Sequence, residues 1–306
     1  MKALLIGDCH LSDRPPSLRK EGYSDEILAK LEFCVEKAND LNVDALIQLG
    51  DVFHIKAPSR TSHRLVQRTH DVLSKSNSPV LLVVGNHDIS NDALSSIDSQ
   101  PIGTLSKMSG MELLIGPHPT LDVWGVPYLN SPESTPEWLT ESRTLVCSHV
   151  SLFPDGDTPP YDYISAPGYT TLLPPGVSAV AYGHIHNPHG MYKESGIWFC
   201  NNGAISRGSL HAETIHRPIK VTLYDSDLLP GNPFSVIDVP FKKPEDVFYT
   251  DLANHRANSP ITDDFMLSMK GVTLAAVSHE SILHSASALL TLKQQRTLEE
   301  ILNEVS

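Results

Sequence analysis

The sequence has few cysteines and no long apolar run, which argues against a disulfide-rich protein and against a membrane-spanning one. Its 306 residues include four cysteines, Cys9, Cys34, Cys147 and Cys200, without CxxC pairing or regular spacing. This usage argues against a disulfide scaffold, so we interpret the four as small apolar residues buried in a protein of a reducing cytosol. No stretch approaches the ~18–20 apolar residues of a membrane span, and the N-terminal MKALLIGD is too short for a signal peptide. We expect a soluble, cytoplasmic protein without a membrane partner.

Basic residues are also in the minority. The chain has 23 Lys and Arg against 36 Asp and Glu, a formal net charge of −13, which argues against a broadly basic surface that coats nucleic acid. A local basic groove remains compatible with this total, because bound divalent cations would add positive charge to the cleft that holds them. A chain of this length buries a full core, either as one large domain or as a catalytic domain with a smaller appendage.

Short apolar runs recur, and each ends in a small residue followed by polar side chains. Such runs, bounded by Gly or Pro, predict strands buried on both faces, here in KALLIGDCH, DALIQLGDVFH, PVLLVVGNHD, TLVCSHV and SAVAYGHIH. Segments 24–42 and 59–77 have helical period, and Ser24 is the candidate N-cap of the first. The residues predicted to face inward are Ile27, Leu28, Leu31, Val35, Ala38, Leu65, Val66 and Leu73. This alternation predicts an α/β fold with a largely parallel sheet in the first half.

The pattern changes after about residue 110. Shorter strands with little helix, in MELLIG, LDVWGVPY, IWFCNNG, PIKVTLYD and FSVIDVPF, predict a second, more antiparallel sheet. A further change near Pro240 places the domain boundaries at 1–240 and 241–306, and the second part carries a helical apolar stripe from Ile282 to Val305.

Polar side chains follow all five buried strands. Because ligands of open α/β sheets bind at the carboxyl ends of the strands, we expect these side chains to converge. They are Asp8, His10, Asp51, His54, Asn86, His87, Asp88, His149, His184 and His186. Imidazole, carboxylate and amide groups form a mixed donor set that suits Mn²⁺, Fe or Zn²⁺ rather than calcium. The set is too large for one ion, and a carboxylate that bridges two ions is the usual way to use the surplus.

Taken singly, most of these motifs have an ordinary structural explanation. GDCH is also compatible with a turn in which Asp8 caps a helix, and a lone histidine such as His149 is more often a partly buried residue than a ligand. GHIH is more specific, because strand alternation places its two imidazoles on one side of an extended segment. The order and the strand-end placement of all five motifs together favour a metal site.

In this order, GDCH, GDVFH, GNHD, SHV and GHIH resemble the signature of the calcineurin-like metallophosphoesterases over roughly residues 1–205. The resemblance implies a two-sheet sandwich flanked by helices, here with a short C-terminal extension, and two divalent ions. The expected ion is Mn²⁺, with Mg²⁺, Fe or Zn²⁺ as alternatives. The family pattern assigns one ion to Asp8, His10, Asp51 and His186 and the other to Asp51, Asn86, His149 and His184, so that Asp51 bridges them.

The same resemblance implies roles for residues outside the ligand set. The nucleophile would be a metal-bridging hydroxide that attacks phosphorus in line. His87 would donate a proton to the leaving oxygen or hold the substrate phosphate, with Asp88 placed to orient it.

The second motif separates two branches of this family. Protein Ser/Thr phosphatases carry GDxxDRG, whereas the string here is GDVFHIKAPSRTS, with His54 at the second Asp and Lys56 at the last Gly. It is similar instead to SbcD-type nucleases of double-strand-break repair and bacteriophage recombination. That likeness implies a DNA exo- or endonuclease in which His54 contacts DNA, although a helix-capping role or exposure to solvent is also compatible for His54.

Cations just after the first motif extend this interpretation. Arg14, Arg19 and Lys20 are predicted to contact the phosphate backbone, with solvated loop charges as the alternative for the arginines. The nuclease resemblance also implies an SbcC-type ATPase partner, bound through the Ile282–Val305 stripe unless that stripe packs on its own domain. It further implies a homodimer formed near the helix at 60–75.

Two other functions compete with the nuclease. One is a small-molecule phosphodiesterase or phosphatase, acting on a cyclic nucleotide or a dinucleoside polyphosphate, which has no need of an ATPase partner. The other is a metal-free scaffold, which the sequence disfavours because every candidate ligand is retained.

Overall fold

The buried apolar runs form the strands of two six-stranded sheets. The computed structural model describes residues 1–16, 18–54, 61–90, 93–128, 143–208 and 215–250, which belong to the compact unit Met1–Thr250. Its strands are β1 (Lys2–Ile6), β2 (Ala45–Gln48), β3 (Val80–Leu82), β4 (Met111–Leu113), β5 (Gly116–Pro117), β6 (Val123–Val126), β7 (Leu145–His149), β8 (Leu152–Phe153), β9 (Ile164–Ser165), β10 (Ala179–Gly183), β11 (Gly190–Glu194), β12 (Ile197–Asn201), β13 (Lys220–Asp225) and β14 (Phe234–Asp238). Its α-helices are α1 (Tyr23–Leu41), α2 (His63–Leu73), α3 (Pro101–Ser106), α4 (Ala166–Thr170) and α5 (Pro244–Val247), and its 3-10 helices are Leu94–Ser99 and Ser226–Leu228.

The first sheet has the order β14-β13-β1-β2-β3-β4. Strands β1 to β4 are parallel, as predicted, while β13 and β14 extend the sheet antiparallel beside β1. Every residue of β2 and β3 is buried, because α1 and α2 cover one face and the second sheet covers the other. The fold is therefore the predicted α/β sandwich of two sheets flanked by helices.

The second sheet differs from its prediction. Its order is β11-β12-β10-β7-β6-β5, and the four central strands β12, β10, β7 and β6 are parallel. Only the edge strands β11 and β5 pair antiparallel in it. The expectation that the five shorter segments form a second, more antiparallel sheet is wrong, because MELLIG, PIKVTLYD and FSVIDVPF join the first sheet as β4, β13 and β14. Apolar alternation shows that a segment is a strand but does not say which sheet it joins.

The two long helices bury the predicted stripes. All eight residues predicted to face inward are buried, and each fully buried Leu or Ile contributes about 1.5–3 kcal/mol. Ser62 caps α2 by accepting a hydrogen bond from the Leu65 N–H. The prediction that Ser24 caps α1 is wrong, because the helix follows Gly22, whose φ is 83°, and the Ser24 hydroxyl bonds to the backbone of Ser12 instead.

The chain after β14 returns to the loop that follows β1. Lys20 donates its backbone N–H to the Val247 carbonyl and its ammonium to the Glu245 carbonyl. The predicted Ile282–Val305 stripe lies outside the described residues, so the division into 1–240 and 241–306 stays a prediction. All four cysteines are buried and free, as expected. Among the helices that the structure describes, none has the length and apolar character needed to span a bilayer.

Candidate metal centre

The polar motifs converge where the two sheets meet, as the strand-end rule predicts. Strands β1, β2 and β3 of the first sheet and β7 and β10 of the second all lead into one site. The seven predicted metal ligands form two groups of closely spaced donor atoms. They are Asp8, His10, Asp51, Asn86, His149, His184 and His186.

The first group contains Asp8, His10 and His186. Their ligand atoms all lie within 4.8 Å of one another. The Nε2 atoms of His10 and His186 are 2.8 Å apart, and Asp8 Oδ2 lies 3.4 Å from His186 Nε2. Two imidazole nitrogens that face each other across a carboxylate form a donor set for a divalent cation.

The second group contains Asp51, His149 and His184, again with ligand atoms within 4.8 Å of one another. The amide oxygen of Asn86 joins them, at 3.1 Å from His149 Nε2 and 3.0 Å from His184 Nδ1. Asp51 Oδ2 lies 3.4 Å from His149 Nε2 and 3.5 Å from His10 Nε2. This carboxylate oxygen is therefore shared between the two groups.

The electrostatics of the centre favour the ionised form of its carboxyl groups. Burial opposes the ionisation of Asp8 and Asp51, yet the surrounding imidazoles outweigh it and hold the pKa of each carboxyl below its usual value. Burial also lowers the pKa of His184 to about 4, which keeps that imidazole neutral and able to coordinate. His149 differs, because Asp51 overcomes the effect of burial and raises its pKa to about 9. A cation that binds at His149 must displace this proton.

The backbone is shaped to bring these groups together. A Cβ atom at Gly85 would lie 2.1 Å from Asp51 Oδ1, and one at Gly50 would lie 2.1 Å from His149 Nδ1. Three candidate ligands adopt left-handed backbone conformations that L residues rarely take, with φ of 48° at His10, 56° at Asp51 and 83° at His184. Conformations of this kind cluster at functional sites. The chemistry of the donor atoms and the short distances between the ligand side chains fit a pair of divalent cations.

His87 lies beside the first group, but its predicted partner is a different one. The expectation that Asp88 orients His87 is wrong. The Asp88 carboxylate accepts the backbone N–H groups of Asp51, at 2.8 Å, and Gly85, at 3.0 Å, so it holds the loop that carries Asp51. Burial, followed by the Asp51 carboxylate, raises the pKa of Asp88 to about 7. The group next to His87 Nδ1 is the carbonyl oxygen of His54, at 2.7 Å.

His54 stands at the margin of the centre. It is half-buried, and its Nδ1 lies 3.4 Å from His10 Nδ1. Ligand atoms of His10, His54 and His87 also lie within 4.8 Å of one another. The structure brings His54 to the site, and its contact with DNA stays a prediction.

Of the three predicted DNA-contacting cations, one is buried. Arg19 is only 4% exposed, bonds to Glu26 and lies between the rings of Tyr23 and Phe248. The prediction that Arg19 contacts DNA is therefore wrong, because its guanidinium is enclosed by the α1 and α5 regions. Arg14 is exposed, and the half-buried Lys20 is bonded to the Glu245 carbonyl; their contacts with DNA stay predictions.

Two aromatic residues also lie at the centre. The ring of Tyr128 lies 5.6 Å from that of His184, and the hydroxyl of Tyr23 donates to the His10 carbonyl at 3.1 Å. Tyr128 follows β6, so the strand-end rule that found the histidines would have found it as well. The position of Tyr23 just after the first metal ligands predicts a place near a phosphate backbone, but the side chain is buried at the start of α1.

Known proteins resemble the chain in sequence and in fold. Residues 1–188 match the family described as calcineurin-like phosphoesterase. The chain is 29% identical to the DNA double-strand break repair protein Mre11 of Aeropyrum pernix over 210 residues, which are 61% of this chain and 49% of that protein. It is also 29% identical to the protein of that name from Methanococcus maripaludis over 114 residues, 37% of this chain and 29% of that protein. The matches thus span less than half of either relative.

Among solved structures, a dimetal phosphatase from Danio rerio is 15% identical to the chain, with a TM-score of 0.48. The likeness covers 79% of this chain and 99% of that one.

Proposed function

Since the chain belongs to the calcineurin-like phosphoesterase family, we propose that it is a dimetal-dependent phosphodiester hydrolase that acts on DNA, as an exo- or endonuclease in recombination or repair. In this proposal one ion is held by Asp8, His10, Asp51 and His186, and the other by Asp51, Asn86, His149 and His184. The ion is Mn²⁺, with Mg²⁺, Fe and Zn²⁺ as the alternatives that the donor set admits.

The position of Asp51 carries the proposal. Its Oδ2 atom lies within 3.5 Å of an imidazole nitrogen in each donor group, which supports a bridging role for this carboxylate. When bound, two ions held by these residues would activate water and neutralise charge that develops at the phosphorus atom. Asp88 acts as a positioning residue, because it holds the backbone N–H of Asp51.

His87 is the proposed proton donor. A carbonyl oxygen only accepts hydrogen bonds, so the contact with the His54 carbonyl places a hydrogen on His87 Nδ1. Nε2 is then the atom that exchanges a proton, and in the imidazolium form it donates one to the leaving oxygen. His87 itself is outside the proposed ligand set.

DNA is the proposed substrate for two reasons. The two archaeal relatives are named as double-strand break repair proteins, and His54 occupies the position at which the phosphatase motif has an aspartate. In the proposal His54 and Arg14 contact the nucleic acid, with Lys20 as a third contact. An SbcC-type ATPase and a second copy of the chain are the proposed partners, by the same resemblance.

A small-molecule phosphodiesterase is the second candidate, and the enclosure of Arg19 favours it. With Arg19 buried and the Lys20 ammonium bonded to the Glu245 carbonyl, Arg14 is the one exposed cation of the predicted three. A substrate with a single phosphodiester, such as a cyclic nucleotide, needs fewer backbone contacts than a DNA strand.

The deciding experiment measures Mn²⁺-dependent hydrolysis of end-labelled single-stranded and double-stranded DNA beside bis-p-nitrophenyl phosphate. The nuclease proposal expects degradation of DNA that is lost in His87→Ala, with product sizes that give the polarity. Turnover of the small diester with DNA left intact, also after addition of an SbcC-type ATPase, would support the second candidate instead. A chain that hydrolyses neither substrate would contradict both.

A further inference from the structure

A buried strap, Ala204–Ser206, runs beside the first donor group. It lies between β12 and β13 and is part of neither strand. Its N–H groups bind the main chain of two candidate ligands. Ala204 donates to the His186 carbonyl at 3.2 Å, and Ile205 donates to the Asp8 carbonyl at 3.0 Å. The strap therefore joins the backbone after β1 to the backbone after β10.

Buried cations hold the other side of the strap. Arg217 donates through one guanidinium nitrogen to the Ala204 carbonyl at 2.7 Å and to the Ser206 carbonyl at 2.9 Å. Lys30 donates to the Ile205 carbonyl at 3.0 Å. Arg217 is 6% exposed and Lys30 is 2% exposed. Hydrogen bonds from charged donors are about twice as strong as neutral ones, so these three contacts fix the strap firmly.

The packing around the strap leaves little freedom for adjustment. Gly203, the residue before it, has a φ of 73°, and a Cβ atom there would lie 2.3 Å from the His186 carbonyl oxygen and 3.1 Å from a guanidinium nitrogen of Arg217. The His186 backbone, the strap and Arg217 are thus stacked in direct contact. A displacement of the strap would move the backbone of His186 and Asp8.

We propose that Arg217 and Lys30 are positioning residues for the ion held by Asp8, His10, Asp51 and His186. They act through the strap, whose position fixes the backbone of two of these ligands. The inference rests on the ligand assignment of the proposed function. Groups that orient metal ligands contribute 10–100-fold to metal affinity, so the loss of either cation should weaken this ion by about that factor and leave the other ion unchanged.

A variant at Arg19 tests whether Arg217 and Lys30 have a purely structural role. Like Lys30, Arg19 is buried and bonds to Glu26, but its contacts are with Glu26, Tyr23 and Phe248 rather than with the strap. Arg19→Met therefore removes a buried cation of the same cluster and leaves the strap contacts in place. It is the matched control for Arg217→Met and Lys30→Met.

The experiment titrates Mn²⁺ into the full chain and follows free Mn²⁺ by its EPR signal, with thermal unfolding of the metal-free proteins in parallel. Wild type is expected to bind two ions. Arg217→Met and Lys30→Met should weaken one ion 10–100-fold, and Arg217→Lys should recover part of the affinity, because an ammonium still donates to one carbonyl. Arg19→Met should lower the melting temperature and keep both affinities.

Wild-type affinity for both ions in Arg217→Met and Lys30→Met would overturn the inference. Equal weakening of the same ion in Arg19→Met would do so too, since it would show a general effect of the buried cluster. If Arg217→Met does not fold, Lys30→Met and Arg217→Lys decide the matter. A wild-type chain that binds no Mn²⁺ would overturn the proposed function and this inference together, whereas two ions bound with wild-type affinity in all variants would overturn the inference alone.

Discussion

The imidazole of His87 lies on that of His54, with ring centroids 5.4 Å apart and planes inclined by 13°. The same residue pair is joined a second time, because His87 Nδ1 lies 2.7 Å from the His54 carbonyl oxygen. His54 therefore fixes both the plane of the His87 ring and the nitrogen that carries its hydrogen. A ring held in this way presents Nε2 in one orientation, as proton transfer to a leaving group requires.

His87→Ala should separate catalysis from metal binding. We expect turnover of bis-p-nitrophenyl phosphate to fall by about 10²–10⁴-fold, the usual contribution of a positioned acid or base. Both Mn²⁺ ions should stay bound, because His87 is outside the proposed ligand set. His63→Ala, which removes an exposed imidazole at the start of α2, is the control and should leave turnover unchanged. Loss of an ion in His87→Ala would make His87 a ligand.

Gly85→Ala should damage both ion sites at once. The new Cβ atom would lie 2.1 Å from Asp51 Oδ1, so the shared carboxylate must move. We expect loss of tightly bound Mn²⁺, measured by elemental analysis after desalting, with a destabilisation of about 1–3 kcal/mol from overpacking. Gly208→Ala is the matched control, because its nearest contact would be an ordinary 3.7 Å to Pro16. Two ions retained in Gly85→Ala would speak against a bridging role for Asp51.

Substitution of Arg14 tests the proposed path of DNA. If this exposed side chain contacts a phosphate, Arg14→Ala should weaken binding of any DNA sequence and lower the slope of log affinity against log salt by about one. Lys37→Ala, at the far end of α1, removes a half-buried surface cation and should change neither quantity. Equal salt slopes for Arg14→Ala and wild type would remove Arg14 from the DNA path.

Lys30 should give the stability a pH dependence of known sign. Burial lowers the pKa of its ammonium from 10.5 to about 8, against the opposing attraction of Glu26. Between these two pH values the unfolded chain holds a proton at Lys30 that the folded chain has released, so this group makes stability rise as the pH increases. The unfavourable contribution is present in full below pH 8 and disappears above pH 10.5.

The comparison with Lys30→Met isolates this effect from other titrating groups. The unfolding free energy of wild type minus that of Lys30→Met, measured by urea denaturation of the metal-free proteins, should increase by on the order of 3 kcal/mol between about pH 8 and pH 10.5. A difference that stays constant over this range would mean that Lys30 is not a titrating contributor to stability.

The strand ends could be predicted from the sequence because two local signals coincide there. A buried apolar run fixes the strand, and the residues after it must leave the sheet at its carboxyl edge, so Asp8, Asn86 and His184 could be assigned to one site without coordinates. The sheet that each later strand joins could not be predicted, because β13 pairs with β1 across more than two hundred residues.

The directions of side chains were the second feature that could not be predicted from the sequence. Asp88 is adjacent to His87 in sequence, but the turn at 86–87 sends its carboxylate back to the Asp51 backbone. Arg19 lies in a polar segment of the sequence that predicts a surface cation, yet the return of the chain at Phe248 covers it. Both errors arise from tertiary contacts that cannot be predicted from the residues adjacent in sequence. The strap beside Asp8 and the burial of Tyr23 belong to the same category.

The candidate ligands are divided between the two sheets, and this division links chemistry to the integrity of the sandwich. An ion held by His10 and His186 would join residues 176 positions apart, in a chain whose cysteines are all free. It would serve as a removable cross-link, and closing a loop of more than 100 residues disfavours the unfolded chain by on the order of 5 kcal/mol in the chain-entropy model. Removal of the ion by a chelator would then remove this cross-link between the two sheets. Metal supply would therefore affect the stability of the folded protein as well as its activity.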